Sequence, residues 1–285
     1  MGNADPMTHA LTLYPCAKVN LFLHVTGRRA DGYHTLQTVF QLVDLCDELT
    51  LEPASDLRFA AGSDAPGGED DLCLRAARLL QSRFSVRDGA ALTLRKRIPE
   101  GGGLGGGSSD AAATLLGLNA LWSLGASRRT LAELGATLGA DVPVFVHGQT
   151  AWAEGVGEEL TPLGTAADHL VILHPGVSVP TKEIFSAREL TRDTPLSRIP
   201  AFFEGGGHND CLPVVLARYP EVGRALAWLK AYGPAQLTGT GACLFAVFPT
   251  RAAAEACAGA VPAPWRAWAV KALAESPERA QAALA

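Results

Sequence analysis

PEGGGLGGGSSDAAA, from Pro99 to Ala113, sets six glycines around one leucine and runs through two serines and an aspartate into an alanine-rich stretch that has to be helical. Mobile backbone followed at once by a helix start is how a chain builds an anion site. Gly101, Gly102, Gly103, Gly105, Gly106 and Gly107 lack a Cβ, so positive φ is open to them and backbone N–H groups can converge on phosphate oxygens. Ser108, Ser109 or Asp110 is the expected cap of the helix, whose N-terminus adds partial positive charge. In isolation such composition reads as a flexible linker. The flanks argue otherwise: Ala91 to Ile98 (ALTLRKRI) alternates as a strand does, and Ala111 to Leu124 has helical spacing. The P-loop pattern fails because no Lys-Ser or Lys-Thr follows the glycines. A G-x-G-x-x-G match from Gly101 to Gly106 is nearly automatic in so glycine-rich a run, and two successive helices follow it where a Rossmann unit needs a second parallel strand.

At 285 residues the chain is long enough for one large or two medium domains, and its 48% hydrophobic and 19% charged composition is that of an ordinary globular protein. A formal charge of −5 argues against nucleic acid as a partner, since neutralising many phosphates needs a basic stripe. No apolar run approaches a membrane span, and the start MGNADPMTHA lacks a basic end followed by an apolar core. A cytoplasmic location is expected. The six cysteines are scattered without C-x-x-C, and the seven histidines show no H-E-x-x-H, so neither a disulfide framework nor a structural metal is expected.

Residues Ala17 to Val25 alternate, with Ala17, Val19, Leu21, Leu23 and Val25 on one face and Lys18, Asn20, Phe22 and His24 on the other. Lys18 and Asn20 therefore look the same way. Strands are expected at Tyr33 to Val43, Leu49 to Glu52 and Leu57 to Ala60, and a helix over Asp71 to Phe84. Thr130-Leu-Ala-Glu133 has the capping-box pattern for a helix ending near Gly139, which leaves Asp141 in a turn ahead of Pro143. Further on, strands are expected at Ala151 to Glu154 and His169 to His174, helices near Asp210 to Arg218 and Glu221 to Tyr232, and a surface connection over Thr191 to Pro200. A second glycine turn, Thr238 to Cys243, leads into a strand from Leu244 to Phe248, and a domain boundary is placed near residue 165.

A phosphate loop with no P-loop lysine still needs a cation and, for transfer to an alcohol, a group to take the hydroxyl proton. Lys18 qualifies because lysine inside an apolar strand is costly unless its charge meets a partner; an edge strand with a solvated lysine is the other reading. Asp141, in the apolar run LGADVPVFV, is the candidate proton acceptor, against an ordinary turn-forming aspartate. Tyr33, His34 and Phe185 would make an aromatic slot for a planar group, or be core; His34 has ring nitrogens to read a base edge.

Taken together, PCAKVNLFLHVTGRRADGYHTLQTVF, the glycine loop, LGADVPVFVHG, AEGVGEELTPL, HPGVSVPTKEIF, Asn209-Asp210 and LTGTGACLFA resemble the GHMP kinase superfamily from about Pro15 to Phe248. RADGYHTLQT and LGADVPVF point within it to the branch that acts on a cytidine diphosphate acceptor, apart from mevalonate and homoserine kinases. The resemblance implies an α+β fold with an N-terminal ribosomal-S5-domain-2-like domain (10–165), a C-terminal domain (166–280) and a cleft between. It implies ATP-dependent phosphorylation of the 2-hydroxyl of 4-diphosphocytidyl-2-C-methyl-D-erythritol, with Lys18 and Asp141 as the catalytic pair. ATP would lie over Pro99 and Gly101 to Asp110, Leu104 included, with Lys96, Asp71 and Leu72 beside it. Mg²⁺ would accompany the nucleotide, Ser108 being its candidate contact and no metal being held by the protein alone. Asn20, Tyr33, His34, Thr181 and Phe185 would bind the small-molecule substrate, Tyr33 and Phe185 clamping cytosine, in a monomer or weak homodimer with no membrane or nucleic-acid partner. Asp71 and Asp110 depart from the asparagines of the family pattern, and a carboxylate lacks the amide's donor. Competing readings are a GHMP kinase for a smaller alcohol and a non-catalytic nucleotide sensor on the same fold.

Overall fold

A computed structural model describes residues 10–65, 67–164, 168–205 and 207–281. The boundary expected near 165 and most of the chain start lie outside the described residues. In chain order the strands are β1 (Leu11–Leu13), β2 (Cys16–Arg28), β3 (His34–Cys46), β4 (Glu48–Ala54), β5 (Leu57–Phe59), β6 (Gly89–Arg95), β7 (Ala151–Glu154), β8 (Glu159–Pro162), β9 (His169–His174), β10 (Ala235–Leu237), β11 (Leu244–Phe248) and β12 (Arg266–Leu273). The helices are α1 (Leu72–Phe84), α2 (Gly106–Leu121), α3 (Arg128–Ala136), α4 (Val142–His147), α5 (Thr181–Ser186), α6 (Ile199–Phe203), α7 (Leu212–Arg218), α8 (Pro220–Lys230), α9 (Arg251–Gly259) and α10 (Pro277–Ala280).

Two sheets carry the molecule. A four-stranded sheet runs β1-β4-β6-β5, antiparallel except for β5 against β6. The other has eight strands, β10-β11-β9-β12-β3-β7-β8, with β2 on the free side of β3. The joint between the halves of the chain is β12, which pairs with β9 over Arg266 to Lys271 and then with β3 at Ala272 and Leu273. The alternation of β9 shows why this sheet is buried on both sides: Val171 and Leu173 enter one core with α7, α8 and α9, while Leu170 and Ile172 enter another with Val19, Phe22, Leu104 and Trp152. A third core lies between the smaller sheet and α1 to α4, and α2 runs through it with Leu115, Leu116 and Leu118 buried. A helix apolar on most of its circumference needs such cover.

Several expectations are corrected. The helix after the glycines starts at Gly106, ahead of the alanines, and its cap is Gly105 at φ +73°, with no side-chain cap from Ser108, Ser109 or Asp110. The strand before the loop stops at Arg95 because carboxylates take the N–H groups that follow, Asp64 that of Lys96 and Asp47 those of Arg97 and Ile98. Ser127, and not Thr130, caps α3 by accepting from the Thr130 N–H. The alternation of β2 holds through Asn20 and is then broken by a bulge, since Asn20 pairs with Phe40 but Leu23 with Thr38, which leaves Leu21 and Phe22 in the same core. Asp141 does sit in a turn, yet it opens a further helix, α4, with Pro143 in its first turn.

Candidate active site

Among the described residues no strand lies beside the outer edge of β2, and loops fill its place. Lys18 N–H donates to Leu104 O (3.0 Å), Asn20 N–H to Thr238 Oγ1 (2.9 Å), Leu23 N–H to His208 O (2.9 Å) and Val25 N–H to Asp210 Oδ2 (2.6 Å). The glycine loop is thus stitched to the strand that carries Lys18. It is stitched also to the second glycine turn, where Ala242 and Cys243 N–H groups donate to the carbonyls of Gly101 and Gly102 (both 3.1 Å). Leu104 is the loop's peg in the core, 1% exposed. Glycine is required where these segments touch: a Cβ on Gly103, at φ +72°, would lie 2.5 Å from Thr238 O, and one on Gly105 would lie 2.8 Å from the Phe145 ring.

Loop, strand and turn enclose a cleft of about 1190 Å³, larger than a single small-molecule site needs. The first-turn N–H groups of α2, on Gly106, Gly107 and Ser108, have no intrahelical acceptor, and all three residues line the cleft. Backbone donors at the positive end of a sixteen-residue helix suit a polyphosphate. Pro99, Gly101 to Gly107, Asp71, Leu72, Lys96 and Asp110 line the same cleft. Ser109 does not: its hydroxyl donates to Cys16 O (2.7 Å) and fastens α2 to β2.

Lys18 is 3% exposed and not a solvated edge residue. Its ammonium donates to Asn20 Oδ1 (2.6 Å) and Gly103 O (3.1 Å), lies 3.4 Å from Asp141 Oδ2 and sits over the Phe40 ring. The residues expected to act together, 123 positions apart in sequence, meet in the cleft. Asn20, expected to hold substrate, lines the cleft: its Oδ1 accepts from Lys18, and the bond to Thr38 Oγ1 (2.9 Å) uses one of its two amide N–H donors. The Asp141 carboxylate makes no bond to its own helix and keeps 33% of its side-chain surface open to the cleft. A carboxylate paired with one cation and open to a cleft has lone pairs with which it can accept a proton.

Lys96 is held differently, between Asp47 Oδ2 (2.5 Å) and Asp110 Oδ2 (2.6 Å). Burial pushes the Asp110 carboxyl up to about 7, against the pull of Lys96 and with the Asp47 charge adding to the rise; Asp110 Oδ1 is buried with no partner. Burial pulls the Lys96 ammonium down, and the two carboxylates more than reverse this. Asp71 caps α1, accepting from Cys73 and Leu74 N–H, which accounts for an acid there without a charge partner.

At the far end of the cleft the His34 ring stacks on Phe185, centroids 5.2 Å apart, while Tyr33 stands on the rim, 63% exposed. Thr181, the first residue of α5, shares a hydrogen bond with Thr240 Oγ1 (3.0 Å). Sequence reading passed over Thr240 and Gly239 although it marked their turn, and it passed over Arg28, Lys182 and Asp47. Arg28 and Lys182 are cations lining the cleft along with His34 and Phe185, and the GRRADG turn was the available sign of the first.

Comparison with known proteins agrees with this geometry. The models "GHMP kinases N terminal domain" and "GHMP kinases C terminal" match residues 71–149 and 198–267. The 4-diphosphocytidyl-2-C-methyl-D-erythritol kinase of Alkalilimnicola ehrlichii is 54% identical over 252 residues, 88% of this chain and 87% of that one. A crystal structure of 4-(cytidine 5'-diphospho)-2C-methyl-D-erythritol kinase superposes with a TM-score of 0.81 at 36% identity, covering 92% of this chain and 99% of the other. A mevalonate kinase crystal structure shares the fold alone, with a TM-score of 0.67 at 14% identity over 93% of this chain and all of that one. The chain belongs to the GHMP kinases and, within them, to the family of 4-diphosphocytidyl-2-C-methyl-D-erythritol kinases.

Proposed function

We propose that the protein transfers the γ-phosphate of ATP to the 2-hydroxyl of 4-diphosphocytidyl-2-C-methyl-D-erythritol, a step of the non-mevalonate route to isoprenoid precursors. The observation that carries this reading is the Lys18–Asp141 pair at 3.4 Å beside the glycine loop, in one cleft with His34 and Phe185. The hydroxyl oxygen bonds to the γ-phosphorus as the bond to the β-phosphate oxygen breaks, and ADP leaves. Asp141 takes the hydroxyl proton, while Lys18 orients Asp141 and stabilises the charge that develops on the phosphoryl group. The backbone of Gly101 to Gly107 and the start of α2 cradle the triphosphate, with Lys96, Leu72 and Asp71 beside the nucleoside.

Mg²⁺ supplies charge neutralisation on the phosphates when bound, and the Ser108 hydroxyl is this chain's candidate oxygen for it. Among the described residues no three His, Cys, Asp or Glu side chains cluster as metal ligands. Tyr33 and Phe185 close on the cytosine, and Arg28, Lys182 and Thr181 face the diphosphate end. Residues 10–165 and 166–280 serve as the two domains of the kinase. Among the described residues no helix is long and apolar enough to cross a membrane, and we place the enzyme in the cytoplasm as a monomer or weak homodimer. Purified protein given ATP, Mg²⁺ and this acceptor is expected to release ADP at a rate that depends on the acceptor; no turnover above background overturns the assignment.

A further inference from the structure

The segment read from sequence as a surface connection is strapped to the substrate end of the cleft. Thr194 N–H donates to Val25 O (3.1 Å), and Ser197 exchanges two bonds with the Gln37 side chain (2.7 and 3.2 Å). These hold the neighbouring Arg192 in place, and its guanidinium makes four hydrogen bonds that join two distant parts of the chain. Nε donates to His34 Nε2 (3.0 Å) at the start of β3. One terminal nitrogen donates to Leu190 O (2.9 Å), and the other to Phe185 O (3.0 Å) and Ala187 O (2.6 Å) at the end of α5. The last carbonyls of a helix need partners, and Arg192 supplies them to the helix that carries Phe185.

The bond to His34 has a chemical consequence. A guanidinium only donates, so His34 Nε2 has to be the lone-pair nitrogen, and in a neutral imidazole the proton then sits on Nδ1. Burial holds the His34 ring below its ordinary pKa, and the charges of Arg192 and Arg28 act in the same direction. Its free nitrogen is therefore a donor. Stacked on Phe185, the ring has one N–H and no acceptor to offer the cleft.

Building on the function proposed above, we infer that Arg192 is a positioning residue for base specificity: through His34 Nε2 it fixes the Nδ1–H tautomer, and through the α5 carbonyls it holds Phe185 against the same ring. An N–H donor complements the unprotonated ring nitrogen of cytosine, whereas the equivalent nitrogen of uracil carries a proton and opposes it. Lysine could not replace this arginine, because a single ammonium cannot span an imidazole and three carbonyls at once.

The tautomer is read directly from long-range ¹H–¹⁵N correlations on the free wild-type protein, with His34→Gln used for assignment. The expected result is a protonated Nδ1 and an unprotonated Nε2; a protonated Nε2 overturns the inference without any arginine variant having to fold. In steady-state assays Arg192→Met and Arg192→Lys are each expected to lower the preference in kcat/KM for the cytidine over the uridine diphosphate acceptor by about ten-fold. The change is expected in the acceptor's KM, with kcat held within about three-fold, because Lys18 and Asp141 are untouched. Folded variants that keep the wild-type base preference overturn it. A wild-type enzyme inert toward any cytidine diphosphate acceptor would overturn the functional reading and with it the base-preference half of this one, while the tautomer measurement stands on its own.

Discussion

Two lysines flank the glycine loop, and they are held in opposite ways. Lys18 rises from the middle of β2 to a single carboxylate at 3.4 Å whose other faces stay open to the cleft. Lys96, just past the end of β6, is locked at 2.5 and 2.6 Å between two carboxylates, one of them fully buried and also holding the Arg97 and Ile98 N–H groups. The first arrangement leaves lone pairs and a charge for a substrate. In the second, Asp47 spends both oxygens, on Lys96 and on the two N–H groups where the chain turns from strand into loop, while Asp110 keeps one oxygen buried and unpartnered. A cation and carboxylate at the same cleft are thus chemistry or scaffold according to how much bonding capacity remains unspent.

The strongest test of this contrast is to break both pairs. Lys18→Met and Asp141→Asn are each expected to lower kcat by about 10³-fold or more while leaving affinity for an ATP analogue near wild type. A loss below ten-fold would move that pair to the scaffold side. For Lys96 the large effect should fall on stability: Asp47→Ala takes one of its two carboxylates and strands the Arg97 and Ile98 N–H groups, and is expected to cost about 2–4 kcal/mol in urea unfolding. A cost under about 1 kcal/mol would show that the second cluster is not structural.

Asp110 sharpens the comparison through pH. Its folded pKa, about 7, lies above the ordinary 3.8, so the folded state holds the extra proton between those values. Its contribution to stability is full below about pH 4 and is lost as the pH rises through about 7. Asp110→Asn should therefore gain stability over wild type as pH rises from 5 to 8, measured as the difference in Tm across that window; a difference that does not change with pH contradicts the raised Asp110 carboxyl. The smallest effect on stability is expected at Asp71, whose carboxylate caps α1. Asp71→Asn should stay within about 0.5 kcal/mol of wild type and Asp71→Ala should lose about 1 kcal/mol.

Much of the fold was legible because it rests on local pattern. Alternation marked β2 and β6, strand-like runs marked β3, β7, β9 and β11, helical spacing marked α1 and α2, and the glycine run marked a loop ahead of a helix. Errors came where a distant group overrode the local signal. Asp64 and Asp47 ended β6 early, the approach of Phe145 and Thr238 made the loop's own glycines part of the turn and helix start, and a bulge after Asn20 switched the alternation of β2. Arg192 was missed for the same reason. In TRDTPLSRIP it reads as one more polar residue, and its meaning comes entirely from carbonyls and an imidazole brought to it by other elements.

By itself the sequence determined which residue types were available and which way they faced locally: a lysine and an asparagine on one side of a strand, glycines where no Cβ fits, an aspartate ahead of Pro143. Only the tertiary structure decided that Lys18 meets Asp141 and that Lys96 meets two acids, because these contacts join segments that share no local period. A backbone pattern is set by neighbours within a few residues, whereas the partner of a buried charge is whichever group the packed core delivers to it.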